Sequence, residues 1–405
     1  MIRQPVHTVY GGAQLFTAAT ASRLGQRALA ALDEHGRDPV AFAGALDLGV
    51  DAALARTIRE RVVAKLTREP VEDFRIDFED GYGNRPDAEE DGHAASAAEE
   101  VARGLRDGTL PPYIGIRIKP LGSELRERSL RTLDIFVKTL VRGGGAVPPN
   151  FVVTLPKITS HAQVSMLADR LEAIERRDSL EPGSLRLELM IETPESVLDS
   201  SGACAIPRFL EAARGRCRGA HFGTYDYTAS CQITAAHQHM THPACDFAKH
   251  MMQISLASTG VWMSDGATNV MPVGDGATVH AAWRLHASHV RHSLVGGFYQ
   301  GWDLHPAQLP SRYAAVYAFF LEGLATASAR LRNFVQKAAQ ATLVGDVFDD
   351  AATGQGLLNY FLRALNSGAI TEEEAIDRSG LTLDELRSRS FVTILRRRGS
   401  TSARP

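Results

Sequence analysis

Eight short runs dense in Val, Ile, Leu, Phe and Tyr punctuate the chain, and most close on Gly, Pro or Asp. They are HTVYGG (7–12), FRIDFEDG (74–81), YIGIRIKP (113–120), FVVTLPKI (151–158), LRLELMIETP (185–194), GAHFGTYDYT (219–228), GVWMSDG (260–266) and LVGGFYQGWDLHP (294–306). Runs of this kind read as strands buried on both faces, as in a parallel sheet. Between them the apolar residues take helical spacing. Val164, Leu167, Leu171 and Ile174 lie on one face of 161–177, and Leu125, Leu130, Leu133, Phe136, Val137 and Leu140 on one face of 123–142. Segments 243–258 and 277–291 continue the series, and the long first gap holds two helical segments, near 17–33 and 51–67. Eight strand–helix units predict an α/β fold, a TIM (β/α)8 barrel. A doubly wound open sheet is the alternative.

Past residue 306 the pattern changes. Residues 307–342 read as long helices, and shorter helices follow near 355–366, 371–378 and 382–389, with one late strand, FVTIL (391–395). The expected division is a barrel over 1–309, with an elaborated first β–α segment, and a helical appendage with a basic tail over 310–405. The stripe Leu357, Leu358, Phe361, Leu362 and Leu365 gives that appendage an apolar face, which predicts a homo-oligomer.

Composition narrows the class. Over 405 residues, 44% are hydrophobic and 22% charged, an ordinary globular balance. A net charge of −3 supplies no basic field for nucleic acid. Four cysteines without a CxxC pair fit reduced thiols rather than a zinc ribbon. The opening MIRQPVHTVYGG has no apolar signal core, and no run approaches the roughly 18 apolar residues of a membrane helix. A cytoplasmic protein with no membrane partner is expected. GxxxxGK[ST], HExxH and GxSxG motifs are absent.

In such a barrel the active site lies at the C-terminal strand ends. Polar residues gather there: Asp77, Glu79 and Asp80 after the second run, Arg117 and Lys119 after the third, and Lys157 after the fourth. The series continues with Glu192 and Thr193, Tyr225 and Asp226, Asp265, and finally Asp303 and His305. Glu192 follows LELMI, so it sits at a buried depth, where a carboxylate is costly unless paired or metal-bound. Asp226 is read the same way. Two carboxylates on adjacent strands suit Mg2+ or Mn2+, and an internal salt bridge is the other reading of each. Arg117 can grip a carboxylate through two parallel hydrogen bonds, that of a substrate or of the acidic cluster on strand two. Glu79 can hold Arg117 or a metal-bound water, and Asp80 can cap its DGYG turn. Lys157 is either a surface or salt-bridged lysine or, less simply, a Schiff-base nucleophile. His237, His239 and His242 resemble a metal site by letter only; satisfied or solvent-facing histidines are the simpler reading.

The pieces DFEDG, IGIRIKP, TLPKI, LMIETPESV, HFGTYDYT, STGVWMSDGA and GWDLHPAQ occur in the order found in the citrate lyase beta subunit and HpcH/HpaI aldolase superfamily, over roughly residues 70–310. The chain resembles that superfamily, with an echo of malate synthase in GTYDYT. The resemblance implies a carbon–carbon lyase or aldolase that binds Mg2+ or Mn2+ through Glu192 and Asp226. It implies that Arg117 holds the carboxylate of a 2-oxo acid, that Glu79 belongs to the acidic motif beside it, and that His305, Pro306 and Gln308 shape the last turn. Arg117, Glu79 and Asp80 are the catalytic candidates, and Arg117, Tyr225 and Lys157 the substrate-binding ones. The expected substrate is a small 2-oxo or hydroxy acid, free or as a CoA thioester. Three departures stand out: an extra segment around 13–70, the His-rich loop at 237–242, and an opening strand, VYGGAQLF, without the usual arginine, which counts against coenzyme A. A malate-synthase-like acyl-CoA condensing enzyme and a non-catalytic acid-binding barrel are the alternatives.

Overall fold

The computed structural model describes residues 3–336, 342–344, 347–349, 351–394 and 398. Eight parallel strands close on themselves: β1 (His7–Gly12), β2 (Asp73–Asp77), β3 (Tyr113–Arg117), β4 (Phe151–Leu155), β5 (Arg186–Ile191), β6 (Cys217–Phe222), β7 (Trp262–Ala267) and β8 (Gln300–Asp303). The closure is β1 on β8, with His7 opposite Gly301 and Val9 opposite Asp303. The fold is therefore a TIM barrel, and the open-sheet alternative falls.

Three helices, α1 (Thr20–His35), α2 (Pro39–Ala45) and α3 (Ala52–Arg68), separate β1 from β2, where a plain unit has one. The helix α2 escaped the periodicity reading because it is short. Its start is nevertheless marked, with Asp38 capping the Ala41 N–H and Pro39 opening the first turn. The ring continues with α4 (Asp87–Asp107), α5 (Arg126–Gly144), α6 (His161–Arg177), α7 (Pro194–Val197), α8 (Ile206–Ala212), α9 (Thr224–Ser230), α10 (Pro243–Leu256) and α11 (Gly276–Val295). After β8 comes α12 (Leu309–Gln336), which packs between α11 and α3. A two-stranded ribbon, β9 (Thr342–Val344) and β10 (Val347–Asp349), precedes α13 (Ala351–Asn366), α14 (Glu372–Ser379) and α15 (Leu383–Arg387).

Three expectations are corrected. TYDYT is not strand: β6 stops at Phe222, and Tyr225 and Asp226 lie in the first turn of α9. FVTIL is not strand either; residues 391–394 are helical, with Phe391 stacked on Phe334 and Ile394 buried. The apolar stripe of α13 offers no interface. Leu357, Leu358, Phe361 and Leu362 are buried within the chain and Leu365 packs against the same core, because α13 folds onto α12, α14 and α15. Among the described residues no helix is long and apolar enough to cross a membrane.

The barrel interior is polar as well as apolar. The Trp302 indole N–H donates to His221 Nδ1 (2.9 Å), so His221 presents its other N–H to Glu188 (3.0 Å). Arg75 donates to Glu188 (2.8 Å) and to Asp73 (2.7 Å), and Thr8 Oγ1 donates to Asp73 (2.9 Å). All are buried, so each depends on the others for solvation.

Candidate active site

Asp77 is the anchor of the mouth. The N–H of Glu79 reaches its Oδ1 (3.0 Å) and the N–H of Gly81 its Oδ2 (2.7 Å). A side chain at residue 81 is excluded, because a Cβ there would stand 2.7 Å from that carboxylate oxygen. Arg117 grips Asp77 at two points, Nε on Oδ1 (2.7 Å) and Nη2 on Oδ2. The bidentate contact expected of Arg117 is thus made, but to its own chain. Its free edge, Nη1, faces Glu79 (3.1 Å) and Asp80 (3.5 Å). The guanidinium lies over the Tyr10 ring, 4.9 Å from its centroid, and Tyr10 lies against Trp302 at 4.5 Å. Burial works against the charge of Arg117, yet Asp77 and Glu79 more than offset it and hold its pKa well above the usual value.

Lys157 enters from the end of β4, the strand next to β3. Its backbone is left-handed (φ 48°), a strained conformation for a residue with a side chain. That bend aims its N–H at Glu192 Oε1 (2.7 Å) and its ammonium between Glu79 (2.9 Å), Asp226 (3.2 Å) and Asp80 (3.4 Å). Burial alone would lower its pKa; Glu192 and Glu79 raise it instead, which favours the ammonium over the free amine that a Schiff-base nucleophile needs.

The carboxylates differ in depth. Glu192 is 1% exposed. Burial lifts its carboxyl to about 8; Lys157 pulls it down and Asp226 pushes it up. Asp226 was expected at the same depth, but α9 carries it out to the rim, where its side chain is 40% exposed. Glu79 is raised to about 7, chiefly by burial, with Arg117 opposing and Asp80 adding. Asp80 moves the other way despite its burial, because its hydrogen bond with Glu79 and the charge of Arg117 favour the anion.

These groups face one cavity of about 420 Å3, at the C-terminal end of the strands. Arg117, Asp80, Glu192, Tyr225 and Asp226 line it, and Lys157 and Glu79 border it through the ion pairs above. The Tyr225 hydroxyl is engaged within the chain, donating to Ala267 O (2.9 Å) and accepting from the Asn269 N–H (3.0 Å), so only its ring serves the cavity wall.

Several rim residues named from strand position lie elsewhere. Lys119 bonds Phe78 O (2.6 Å) and Glu90 (3.0 Å) beneath the mouth. Thr193 caps α7, and His305 caps the turn Pro306–Gln308. Asp265 is buried with Lys249 (3.1 Å) and Ser293 (2.7 Å). Asp303 is a buried joint, bonded by His7 (2.7 Å) and Arg312 (2.9 Å). In the His-rich loop, His242 caps α10 and His239 bonds Thr241. Conversely, Tyr10, Thr224 and Trp302 line the cavity and looked like ordinary core residues in the sequence.

The donor set around Glu192 and Asp226 suits a hard divalent cation. It is all oxygen, and the Thr224 hydroxyl in the same wall is buried without a hydrogen-bond partner. Gly223 lacks the Cβ that would stand 2.5 Å from Glu192, so the carboxylate lies directly against the chain that carries Asp226. Among the described residues no three His, Cys, Asp or Glu side chains form a metal cluster. A cation here would take two protein carboxylates and complete its shell with water and ligand, the usual habit of Mg2+.

A family model matches the chain over residues 1–394. The chain belongs to that family, described as Domain of unknown function (DUF6986). No curated protein matches this DUF6986 chain. Among solved structures, a citrate lyase from Burkholderia xenovorans LB400 is 20% identical over 80% of this chain and 93% of its own, with a TM-score of 0.57. CitE from Mycobacterium tuberculosis, solved with magnesium, acetoacetate and coenzyme A, is 16% identical over 94% and 99%, at 0.51. The Haloferax volcanii malate synthase magnesium/glyoxylate complex is 13% identical over 97% and 97%, at 0.50. At such identities the likeness is one of fold: the DUF6986 chain is built on the barrel that these lyase and synthase structures share.

Proposed function

We propose that the protein is a metal-dependent carbon–carbon lyase or aldolase acting on a small 2-oxo or hydroxy acid. The observation that carries this reading is the convergence of Glu192, Asp226, Glu79, Arg117 and Lys157 on one cavity at the barrel mouth. The order of motifs shared with the citrate lyase beta and HpcH/HpaI superfamily supports it, as does the fold shared with a citrate lyase, with CitE solved with magnesium, and with a malate synthase magnesium/glyoxylate complex.

Cleaving the bond beside a 2-oxo acid sends its electron pair towards the 2-oxo oxygen. Mg2+ or Mn2+ held by Glu192 and Asp226 would supply positive charge against that oxygen. The Nη1 edge of Arg117 and the ammonium of Lys157, shared with Glu79 and Asp80, bind and orient the substrate carboxylate. Glu79 takes the proton from the hydroxyl on the departing fragment, which leaves as a carbonyl compound. Asp80, hydrogen-bonded to Glu79, tunes its basicity. Tyr10 and Trp302 floor the site and keep water from its base. Run backwards, the same steps join the enolate to an aldehyde; in the condensing reading the acyl-CoA supplies the enolate and the 2-oxo carbonyl accepts it, becoming the hydroxyl.

A carboxylate must be ionised to accept a proton. With Glu79 at about 7, kcat/KM is expected to rise with pH through about 7. Glu79→Gln should remove that limb and lower kcat by roughly 10²- to 10⁴-fold. A profile flat from pH 6 to 8 would take the proton away from Glu79. The reaction class itself is tested by incubating the protein with Mg2+ and a panel of 4-hydroxy-2-oxo acids and 3-hydroxyacyl-CoA esters. Release of pyruvate, glyoxylate or acetyl-CoA is the expected result; a panel without turnover in either direction sinks the reading.

A further inference from the structure

A second cavity, about 480 Å3, lies at the end of the barrel away from the mouth. Arg3 and Glu72, just ahead of β1 and β2, border it from the barrel. The helix α3 adds Arg61, Lys65 and Arg68, and α12 adds Tyr317. The turn from α13 to α14 closes it with Asn366, Gly368 and Ile370. The cavity therefore occupies the seam between barrel and appendage.

Tyr317 is the unusual residue. It is 1% exposed, yet it lines the cavity, and its hydroxyl makes no hydrogen bond among the described residues. Tyr313, one turn earlier and equally buried, donates its hydroxyl to Pro70 O (3.0 Å). Burial and then Glu72 push the Tyr317 hydroxyl up, against the pull of Arg68 and Arg61, so it is a donor at neutral pH. The acceptors around it are taken. Glu72 receives Lys65 (2.6 Å) and the Val6 N–H (2.8 Å), Glu69 receives Arg3 (3.0 Å), and Glu374 receives Arg61 (2.6 Å). Gly368 leaves the hydroxyl uncovered, since a Cβ there would stand 3.7 Å from it. The same pairings leave Arg68 as the base of this cavity without an acid, among the described residues. What sets Arg68 apart from an ordinary surface arginine is that its charge bears on a buried donor that lacks an acceptor. The half-buried Asn366 amide, also without a hydrogen-bond partner among the described residues, faces the same space.

We propose that this cavity binds a small organic anion, whose oxygens accept from the Tyr317 hydroxyl and the Arg68 guanidinium while its apolar part lies against Leu365 and Ile370. The uncompensated charge of Arg68 calls for an anion, and the hydroxyl calls for an acceptor. A carboxylate and a phosphate monoester share that chemistry. The volume is that of a small-molecule site. Such a site lies at the strand ends opposite the mouth and is independent of the reaction proposed there.

Calorimetric titration of the full chain in chelator-treated buffer tests it with three probes: pentanoate, pentyl phosphate and uncharged pentanol. At least one of the two anions is expected to bind about tenfold or more tighter than pentanol, and the tighter one identifies the head group. Tyr317→Phe and Arg68→Gln should each weaken that anion by about tenfold. Neither should unfold the protein: the first keeps the buried ring, and Arg68 is exposed. Without ligand, Tyr317→Phe should melt no lower than the parent chain, because the hydroxyl has no partner to lose. A lower melting temperature would make the hydroxyl part of the fold and overturn the site. So would failure of both anions to outbind pentanol, or binding that survives both substitutions, which would place the anion elsewhere. None of these outcomes bears on the reading of the mouth.

Discussion

Glu192→Gln is expected to lower kcat/KM by about 10³-fold, roughly 4 kcal/mol of transition-state stabilisation, while leaving the fold intact. The substitution keeps shape and volume. The amide oxygen can still accept the Lys157 N–H that now reaches Glu192 Oε1 at 2.7 Å. Removing the charge should cost the metal-free protein little, because burial already pushes the carboxyl up towards its neutral form, to about 8. What is lost is one of two oxygen anions able to hold a divalent cation, so Mg2+ affinity should fall together with turnover. Calorimetry with Mg2+ alone, a melting curve and kcat/KM on one preparation separate these effects. Near-normal kcat/KM with weakened Mg2+ binding would remove the cation from the mechanism; unchanged Mg2+ binding would remove Glu192 from its site.

The largest stability effect is expected at Asp303. Its carboxylate is fully buried and joins four elements: His7 of β1 (2.7 Å), His286 of α11 (3.0 Å), Arg312 of α12 (2.9 Å) and its own β8. Burial would raise its pKa, but Arg312 and the two histidines hold it well below the carboxylate range, so it is ionised. Asp303→Ala leaves the Arg312 guanidinium buried without its counter-charge, 3% exposed and far from water. A broken buried pair of this kind costs about 3–5 kcal/mol. The urea midpoint should fall accordingly, and β1–β8 pairing, the seam of the barrel, should exchange amide hydrogens faster than the other strands. A loss below 1 kcal/mol would show that the joint is dispensable.

The strands were legible because parallel strands are apolar on both faces and stop at polar turns. Their ends were less so. Leu294 and Val295 prolong α11 rather than open β8, because an apolar pair at a junction suits either element. The aromatic alternation of TYDYT imitates a strand, and only the turn at Gly223 sends it into a helix. For the mouth, residue type told more than position. Glu192 stood out because a carboxylate directly after Leu189, Met190 and Ile191 has no cheap resting state. Asp303, also at a strand end, points into the barrel seam; successive side chains alternate faces, and the shifted register between Ser264 and Ala267 hides the phase. Tyr10, Thr224 and Trp302 left no trace, since their types are equally at home in a core.

Lys157 has a consequence for how the protein can be made and kept. A mouth of four crowded carboxyl groups would normally need an ion before it could close. Here the ammonium sits 2.9–3.4 Å from three of them and is tethered by a strained backbone, so the chain supplies its own counter-charge. Unlike a small zinc domain, which is unfolded without its metal, this protein should mature before it is loaded. Stripping divalent ions with a chelator is expected to silence it while its melting temperature barely moves, and restoring Mg2+ should revive it without refolding. If the mouth does hold a divalent cation, activity and assembly are uncoupled, and a metal-poor cell would accumulate intact, waiting barrels rather than debris.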